Sequence, residues 1–330
     1  MERSQIEELM RQYGIKTCHD IREIDSSKSG DYRLNIIVDR TYVLRINNPS
    51  ITEERLEGIS RLVARYRSIG VLAPGLFRNR EGKFITPFDN KVCYVSQYLD
   101  YDTADKIYPR RLDEKVAEDL LTSIGRLSSK YSGVDLMPVN SMWSIIDLAP
   151  LDEGIDEKQE NVNDLVTSLY ESGDAEMAKL VKNFNDTLRT RIREHYKELP
   201  RCVIQGDLNS SNILVQDGKF IGIIDFNMAG TEVNVNHFCS ETNINEIWND
   251  LYDSQDFNVG DFFHRWRVAQ DNALKIILQT YKLNALENRL IHDYRRIGLI
   301  SQYPNVCFYK HLLGTNKTKA KELLELILRS

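Results

Sequence analysis

Apolar and polar residues in the first seventy positions alternate in a way that predicts a small antiparallel sheet with two helices. Short β-type runs follow one another with brief polar connections, which is the pattern of a meander. Apolar residues at helical spacing mark the flanking helices, and Thr52 stands where a helix N-cap is expected. The predicted elements are helices at 4–13 and 53–68 and strands at 21–24, 32–38 and 42–46.

Helical periodicity dominates after residue 112. Gly125 interrupts the first of these helical segments, where it indicates close packing, and Pro200 ends the longest one. The acidic, polar stretch 152–163 predicts a loop. The predicted helices lie at 112–131, 175–199, 260–281, 283–300 and 318–328.

One β hairpin between these helices carries the candidate chemistry. An apolar run enters a polar loop that contains Asp207 and, five residues later, Asn212. Asp217-Gly218 stands between two apolar runs and is a strong signal for a tight hairpin turn. The second strand, 220–224, delivers Asp225 at its end. Two carboxylates and one amide are therefore predicted to converge on a small volume.

These three side chains favour phosphoryl transfer. Two neighbouring carboxylates repel each other unless a shared proton or a divalent cation offsets their charge. Asn212 and Asp225 offer only oxygen ligands, which suits Mg²⁺ that takes its remaining ligands from substrate phosphates. Asp207 is then left to hold a substrate hydroxyl. Kinases divide the same roles between a catalytic Asp, an Asn after four intervening residues and a strand-end Asp.

The run Gln205-Gly-Asp-Leu-Asn-Ser-Ser-Asn-Ile-Leu-Val with Ile224-Asp-Phe resembles the aminoglycoside phosphotransferase and choline kinase family. That family usually has His where this chain has Gln205. The resemblance implies an α+β, two-lobed, protein-kinase-like fold. It implies a small antiparallel β lobe at 1–98, which binds the nucleotide, and a larger, mainly helical lobe at 99–330, which carries catalysis and substrate binding.

The same resemblance implies how the chain holds its phosphoryl donor, ATP or GTP with Mg²⁺. Asp207 is the expected catalytic residue, and Asn212 and Asp225 are the expected metal ligands. Arg45, on the third strand, is expected to contact the phosphates in the place of the usual kinase Lys. Glu57 is the expected partner of Arg45.

Other donor contacts are expected from position alone. Glu54 is the alternative partner of Arg45. Ser27, Ser29 and Gly30 lie in the first turn, which covers the phosphates in kinase-like lobes; the alternative is an ordinary solvated hairpin. The segment 92–99 resembles the last small-lobe strand and the hinge, where the backbones of Gln97 and Leu99 would bind adenine.

The segment after the metal Asp is expected to contact the acceptor. Glu232, His237 and Glu241 are the candidate substrate residues, and acidic groups there would suit a cation. An aminoglycoside-like antibiotic is the first expected acceptor. A homoserine, choline or ethanolamine-type metabolite is the alternative, and a catalytically inactive nucleotide-binding protein is a second one.

Composition narrows the classes of partner. The 330-residue chain has a net charge of −6, which argues against a nucleic-acid surface. Its five cysteines are scattered, which suits a reducing cytoplasm, and no apolar run reaches the roughly 18 residues of a membrane span. We therefore expect a cytoplasmic monomer or homodimer that binds a nucleotide and a small molecule.

Overall fold

The protein is described by a computed structural model over residues 1–27, 32–148, 154–243 and 257–330. Its chain divides into two structural units. Unit 1 consists of residues 1–103, 212–217 and 221–226, and unit 2 consists of residues 104–211, 218–220 and 227–330. Most of the predicted hairpin therefore belongs to unit 1, whereas the loop that leads into it belongs to unit 2.

Unit 1 contains the predicted antiparallel sheet. Its strands are β1 (Ile21–Asp25), β2 (Arg33–Val38), β3 (Tyr42–Asn47), β4 (Leu76–Phe77), β5 (Thr86–Phe88) and β6 (Lys91–Gln97). They pair in the order β1-β2-β3-β6-β4, and β5 also pairs with β6. The predicted meander of three strands is confirmed, because β2 pairs antiparallel with both β1 and β3.

Two predicted helices of unit 1 are also confirmed, α1 (Arg3–Gln12) and α2 (Glu53–Ser68). Thr52 caps α2, since its hydroxyl accepts the backbone N–H of Arg55 at 3.2 Å. Apolar residues of α1 pack on the alternating inward face of the sheet. This core includes Ile6, Leu9, Met10, Ile36, Val38, Leu44, Ile46 and Val95.

Five further strands follow: β7 (Asp102–Thr103), β8 (Arg201–Ile204), β9 (Ile213–Gln216), β10 (Lys219–Ile223) and β11 (Gly230–Val233). β7, β9 and β10 form one sheet, and β8 pairs with β11 in another. The predicted hairpin is confirmed, because Asp217 and Gly218 both have positive φ, 50° and 70°, as a two-residue turn requires.

Strand β10 is held within unit 1 by Leu72. The N–H of Leu72 donates to the carbonyl of Ile221, and the N–H of Ile223 donates to the carbonyl of Leu72, both at 2.9 Å. A Cβ on Gly222 would lie 2.6 Å from the Leu72 carbonyl oxygen, so this approach requires glycine. The contact sets the position of the residues that follow β10, including Asp225.

Unit 2 is mainly helical in the part that the structure describes. Its helices are α3 (Ala104–Ile107), α4 (Glu114–Tyr131), α5 (Glu157–Glu171), α6 (Ala175–His195), α7 (Asn234–Glu241), α8 (Val259–Leu278), α9 (Ala285–Ser301), α10 (Tyr303–Thr315) and α11 (Lys317–Arg329). The five helices predicted from periodicity are confirmed, and the small β lobe with a larger helical lobe is the fold class that the sequence predicted.

The loop predicted at 152–163 is wrong from residue 157 onward, where α5 begins. Asp156 caps this helix by accepting the N–H of Gln159 at 2.9 Å. Both Asp156 carboxylate oxygens also bind the guanidinium of Arg189 on α6, at 2.7 and 2.8 Å. The first turn of α5 is polar because it is held by a buried ion pair, which periodicity does not reveal.

Aromatic residues fill the core of the helical unit. Phe262, Trp266 and Phe308 are buried, and the ring centroid of Phe262 lies 5.8 Å from that of Trp266 and 5.7 Å from that of Phe308. None of the helices in the described ranges is both long enough and apolar enough to cross a lipid bilayer.

Gly125 provides a stability test of the α4–α8 contact. A Cβ at this position would lie 2.3 Å from the carbonyl oxygen of Ile277. We expect Gly125→Ala to lower the free energy of unfolding by about 1–3 kcal/mol because the helices must separate. Gly314→Ala is the matched control, since nothing lies within 4 Å of its Cβ position and alanine favours helix. Urea unfolding that gives equal stabilities for the two variants would contradict the packing.

Candidate active site

Strand β8 leads directly into the loop that carries Asp207. The buried Gln205 side chain accepts the N–H of Asp207 at 2.7 Å, and Asn209 Nδ2 donates to Asp207 Oδ1 at 2.8 Å. The Gln205 amide therefore makes a bond to the backbone of Asp207. One carboxylate oxygen of Asp207 is oriented by its neighbour Asn209.

The close packing of this loop depends on Gly206. Its φ is +84°, and a Cβ would lie 2.3 Å from the carbonyl oxygen of Met228. Trp143 Nε1 donates to the Gly206 carbonyl at 2.6 Å. A residue with a side chain has no room here and would need an unfavourable backbone conformation. The loop is thus fixed from both sides within unit 2.

Asn212 and Asp225 lie together in unit 1. The N–H of Ile224 donates to the carbonyl of Asn212 at 2.9 Å, so the residue before Asp225 is bonded to Asn212 itself. Asn212 is only 6% exposed, and Asp225 is half-buried with φ +56°. A positive φ is uncommon outside glycine and tends to occur at functional positions. One amide and one carboxylate oxygen, held in this way, fit Mg²⁺ with its preference for few protein ligands.

Arg45 lies on β3, in the same structural unit as this pair. It faces Tyr94 across β3 and β6, its Nη1 donates to Asn35 Oδ1 at 3.3 Å, and its Nε donates to Ser96 Oγ at 3.4 Å. Burial raises the pKa of Tyr94, the charge of Arg45 opposes this rise, and the charge of Asp225 adds to it. Arg45 and Asp225 therefore act on the same buried ring.

The ion pair predicted between Arg45 and Glu57 is not formed, so this prediction is corrected. Glu57 binds Arg78 instead, at 2.8 Å, and Glu54 is exposed. Glu53, one helical turn earlier, accepts the backbone N–H groups of residues 84 and 85 at 2.7 and 3.0 Å. Residues four apart share a helix face, so this face of α2 is directed at the segment 78–85 and not at Arg45.

Sequence reasoning missed Arg55. Its positive charge opposes the raised pKa of Tyr94, as that of Arg45 does, and burial lowers the pKa of Arg55 itself. Arg55 of α2, which lowers the pKa of Tyr94, is thus a cation. The kinase-like pattern predicts a carboxylate of this helix, Glu57, as the partner of Arg45.

The remaining donor-side residues are only partly described. The N–H of Ser27 donates to Asp25 Oδ1 at 2.9 Å, and Ser27 Oγ accepts the N–H of Arg33 at 2.9 Å. Ser29 and Gly30 lie outside the described residues. The role predicted for this turn stays a prediction.

The hinge backbone is partly engaged in other bonds. The N–H of Gln97 donates to the carbonyl of Gly75 at 2.7 Å, and the carbonyl of Leu99 accepts the N–H of Tyr101 at 3.0 Å. The N–H of Gln97 is therefore already used, and the carbonyl of Gln97 and the N–H of Leu99 are the simplest groups for an adenine contact. The adenine contact also stays a prediction.

Unit 2 contains a cavity of about 450 Å³ beside the Asp207 loop. Leu208, Asn209 and Ser210 form one wall, immediately after Asp207 in the chain. The rest of the wall is aromatic and charged. It includes Tyr108, Arg110, Arg111, Trp143, Lys158, Glu241 and Tyr303.

The three predicted acceptor residues differ in whether they line the cavity. Glu241 lines the cavity and its side chain is 17% exposed. His237 is buried behind it, with Nδ1 3.6 Å from Glu241 Oε1. Glu232 is also buried, where it accepts from Ser144 Oγ at 3.0 Å and does not line the cavity. Only Glu241 is thus placed to touch a ligand in this cavity.

Burial controls the charges around Glu241. It raises the pKa of Glu241 to about 8, and the negative charge of Asp207 contributes to this rise. Burial also lowers the pKa of His237 to about 3, with a contribution from the positive charge of Lys158. His237 is therefore neutral at neutral pH, and Glu241 readily holds a proton until a cation approaches.

Comparison with known proteins identifies the fold. The family model described as APH, the phosphotransferase enzyme family, matches residues 20–232. A spectinomycin phosphotransferase solved with ADP and spectinomycin is 13% identical with a TM-score of 0.55, covering 100% of this chain and 97% of its own. A microcompartment-associated aminopropanol kinase is 14% identical with a TM-score of 0.53, covering 99% and 94%. No curated protein matched the sequence.

Glu241 gives a pH-dependent prediction. In the unfolded chain its carboxyl ionises near its usual value of 4.5, but the folded chain keeps the proton to about pH 8. Folding stability from this group is therefore lost as the pH rises from 4.5 through 8. We expect Glu241→Gln to stabilise the protein progressively between pH 5 and pH 8, by at least about 2 °C in Tm at the upper end.

The control for this measurement is Glu322→Gln, on an exposed face of α11. Its Tm difference from the unmodified protein should stay constant over the same pH range. If the Tm difference for Glu241→Gln is also constant over this pH range, the Glu241 carboxyl ionises normally in the folded chain and the prediction is wrong.

Proposed function

Because the chain belongs to the phosphotransferase enzyme family, we propose that it moves the γ-phosphoryl group of ATP or GTP to a hydroxyl of a small polar molecule. The observation that carries this proposal is the bond from Ile224 N–H to the Asn212 carbonyl. It brings the backbone next to Asp225 against Asn212, which supports these two residues as an oxygen ligand pair, and Asp207 lies five residues before Asn212 in the same loop. A binding protein without catalysis would not need all three side chains.

We assign the chemical roles as follows. Asp207, oriented by Asn209 and Gln205, holds the acceptor hydroxyl and accepts its proton. Asn212 and Asp225 would hold Mg²⁺, which neutralises phosphate charge when it is bound. Arg45 contacts phosphate oxygens through its planar fork of N–H donors.

The nucleotide is proposed to bind to unit 1. Support comes from the ADP in the spectinomycin phosphotransferase structure and from the cationic surroundings of Tyr94, which suit phosphate oxygens. The carbonyl of Gln97 and the N–H of Leu99 are the proposed adenine contacts, and the turn that begins at Ser27, together with Ser29 and Gly30, is the proposed phosphate cover.

The acceptor is proposed to bind in the cavity of unit 2. The aminoglycoside expected from the sequence carries several positive charges. Among the residues that the structure describes, the charged side chains that line this cavity are three cations, Arg110, Arg111 and Lys158, and one carboxylate, Glu241. This balance disfavours a polycation and favours the alternative, a kinase of a small amine-bearing metabolite such as homoserine, choline or ethanolamine.

Asp207→Asn tests the catalytic role. We expect a 10²–10⁴-fold loss of kcat, the usual result of removing a general base, with nucleotide affinity retained. The measurements are nucleoside diphosphate release with an acceptor panel and calorimetric titration with ATP and Mg²⁺.

Asp217→Asn is the matched control for Asp207→Asn. It removes a carboxylate from the exposed hairpin turn, and asparagine tolerates the same positive φ. Near-normal turnover by Asp207→Asn, at the level of this control, would remove Asp207 from the mechanism.

Asp225→Asn tests the metal role separately. The carboxylate is the charged member of the proposed ligand pair, so its loss should abolish the gain in ATP affinity that Mg²⁺ provides over EDTA. We expect at least a tenfold loss of affinity in the presence of Mg²⁺, since charged ligand bonds are worth about 1.5–3 kcal/mol. The same Mg²⁺-dependent gain in the variant and in Asp217→Asn would refute the assignment.

A further inference from the structure

Lys158 is a buried cation on the wall of the cavity, and neutral oxygens accept its hydrogen bonds. The residue is 2% exposed, and its Nζ donates to Asn236 Oδ1 at 2.9 Å and to Ser240 Oγ at 3.0 Å. Within the described ranges, no Asp or Glu oxygen lies within 4.0 Å of this ammonium group. The negative charge of buried Glu232 favours the charged form of Lys158 from beyond ion-pair distance, and an anion in the cavity would add a direct charged contact.

Glu241 offers the opposite charge on the same wall. It follows Ser240, the residue that accepts a bond from Lys158. The described residues provide no donor within hydrogen-bond distance of the Glu241 carboxylate, since the ring of His237 is 3.6 Å away. The carboxylate is thus available to an ammonium group in the cavity.

The two charged groups are close neighbours in the fold. Lys158 Nζ donates to Ser240 Oγ, and Ser240 directly precedes Glu241 in the chain. Asp207 acts on Glu241 electrostatically, and its neighbours 208–210 line the cavity. One small ligand can therefore span a cation, a carboxylate and the proposed catalytic group.

We infer that the acceptor is a small amino acid with a side-chain hydroxyl. Its carboxylate binds Lys158, its ammonium group binds Glu241, and its hydroxyl reaches Asp207. The inference rests on the proposed phosphotransferase function and narrows the acceptor to a zwitterion.

Neither an amino alcohol nor an aminoglycoside suits both Lys158 and Glu241. An amino alcohol without a carboxylate gives Lys158 no direct charged contact. An aminoglycoside places several ammonium groups in a wall that also carries Lys158, Arg110 and Arg111. Charge-assisted bonds to a zwitterion satisfy both buried groups at once.

The proposed step balances atoms and electrons. The hydroxyl oxygen of the amino acid forms a bond to the γ-phosphorus, and its proton passes to the Asp207 carboxylate. The bond between the γ-phosphorus and the bridging oxygen breaks, and that electron pair leaves on the nucleoside diphosphate. The products are an O-phosphoamino acid, a nucleoside diphosphate and a proton.

The test compares acceptors that differ by one charged group. With ATP and Mg²⁺, the full-length protein is assayed for ADP release with L-serine, L-homoserine, 3-amino-1-propanol, 4-hydroxybutanoate and kanamycin. We expect kcat/KM for the better of the two amino acids to exceed that of each other compound by at least about tenfold, because each single-charge compound loses one charged contact.

Two variants identify the contacts. Lys158→Met should lower kcat/KM for the amino acid about tenfold more than for 3-amino-1-propanol. Glu241→Gln should lower kcat/KM for the amino acid about tenfold more than kcat/KM for 4-hydroxybutanoate. Lys179→Met, an exposed lysine on α6, is the control and should change neither ratio. Circular dichroism and thermal unfolding establish that each variant is folded.

The outcomes separate this inference from the proposed function. Faster turnover of 3-amino-1-propanol, 4-hydroxybutanoate or kanamycin overturns the zwitterion and upholds the phosphotransferase. No turnover with any of the five compounds overturns the zwitterion; the proposed function fails as well if ATP binding shows no dependence on Mg²⁺. If Lys158→Met lowers kcat/KM equally for the amino acid and for 3-amino-1-propanol, the proposed contact between Lys158 and the acceptor carboxylate is wrong.

Discussion

The hydrogen bond from Ile224 to Asn212 joins two parts of the chain on which the proposed metal site depends. It requires β10 to reach Asn212 in one register, and a two-residue turn at Asp217-Gly218 provides that register. Leu72 holds β10 from its other side, and the absence of a side chain on Gly222 permits this approach. Asp225 then takes a positive φ directly after Ile224, the residue whose N–H is bonded to Asn212.

A second constraint is the burial of charge in the helical unit. The pair Asp156–Arg189 fixes the first turn of α5, and that turn presents Lys158 to the cavity. Lys158 donates hydrogen bonds to the neutral oxygens of Asn236 and Ser240, and burial raises the pKa of Glu241 to about 8. Buried ionic groups of this kind add little to stability, which fits the proposal that a ligand completes them. The proposed acceptor site therefore carries a charge pattern of its own.

Local rules explain which parts of the fold were predictable. The N-cap Thr52, the turn at 217–218 and the apolar spacing of the long helices are encoded within a few residues of each element. The trio Asp207, Asn212 and Asp225 was recognisable because its spacing follows from one hairpin. The start of α5 and the Arg45–Glu57 pair failed for the same reason: each depended on a partner distant in sequence, Arg189 in one case and Arg78 in the other.

The sequence by itself determined the α+β class, the hairpin and the chemical identity of the groups that would handle a phosphoryl transfer, because turns, caps and periodicity act over short stretches of chain. Only the tertiary structure decided which charges share a cavity. Lys158 and Glu241 are 83 residues apart in the sequence, and nothing local to either one indicates that α5 and α7 bring them to the same wall. Burial, which no residue carries alone, then gave these two groups their altered affinities for protons and their suitability for a ligand of mixed charge.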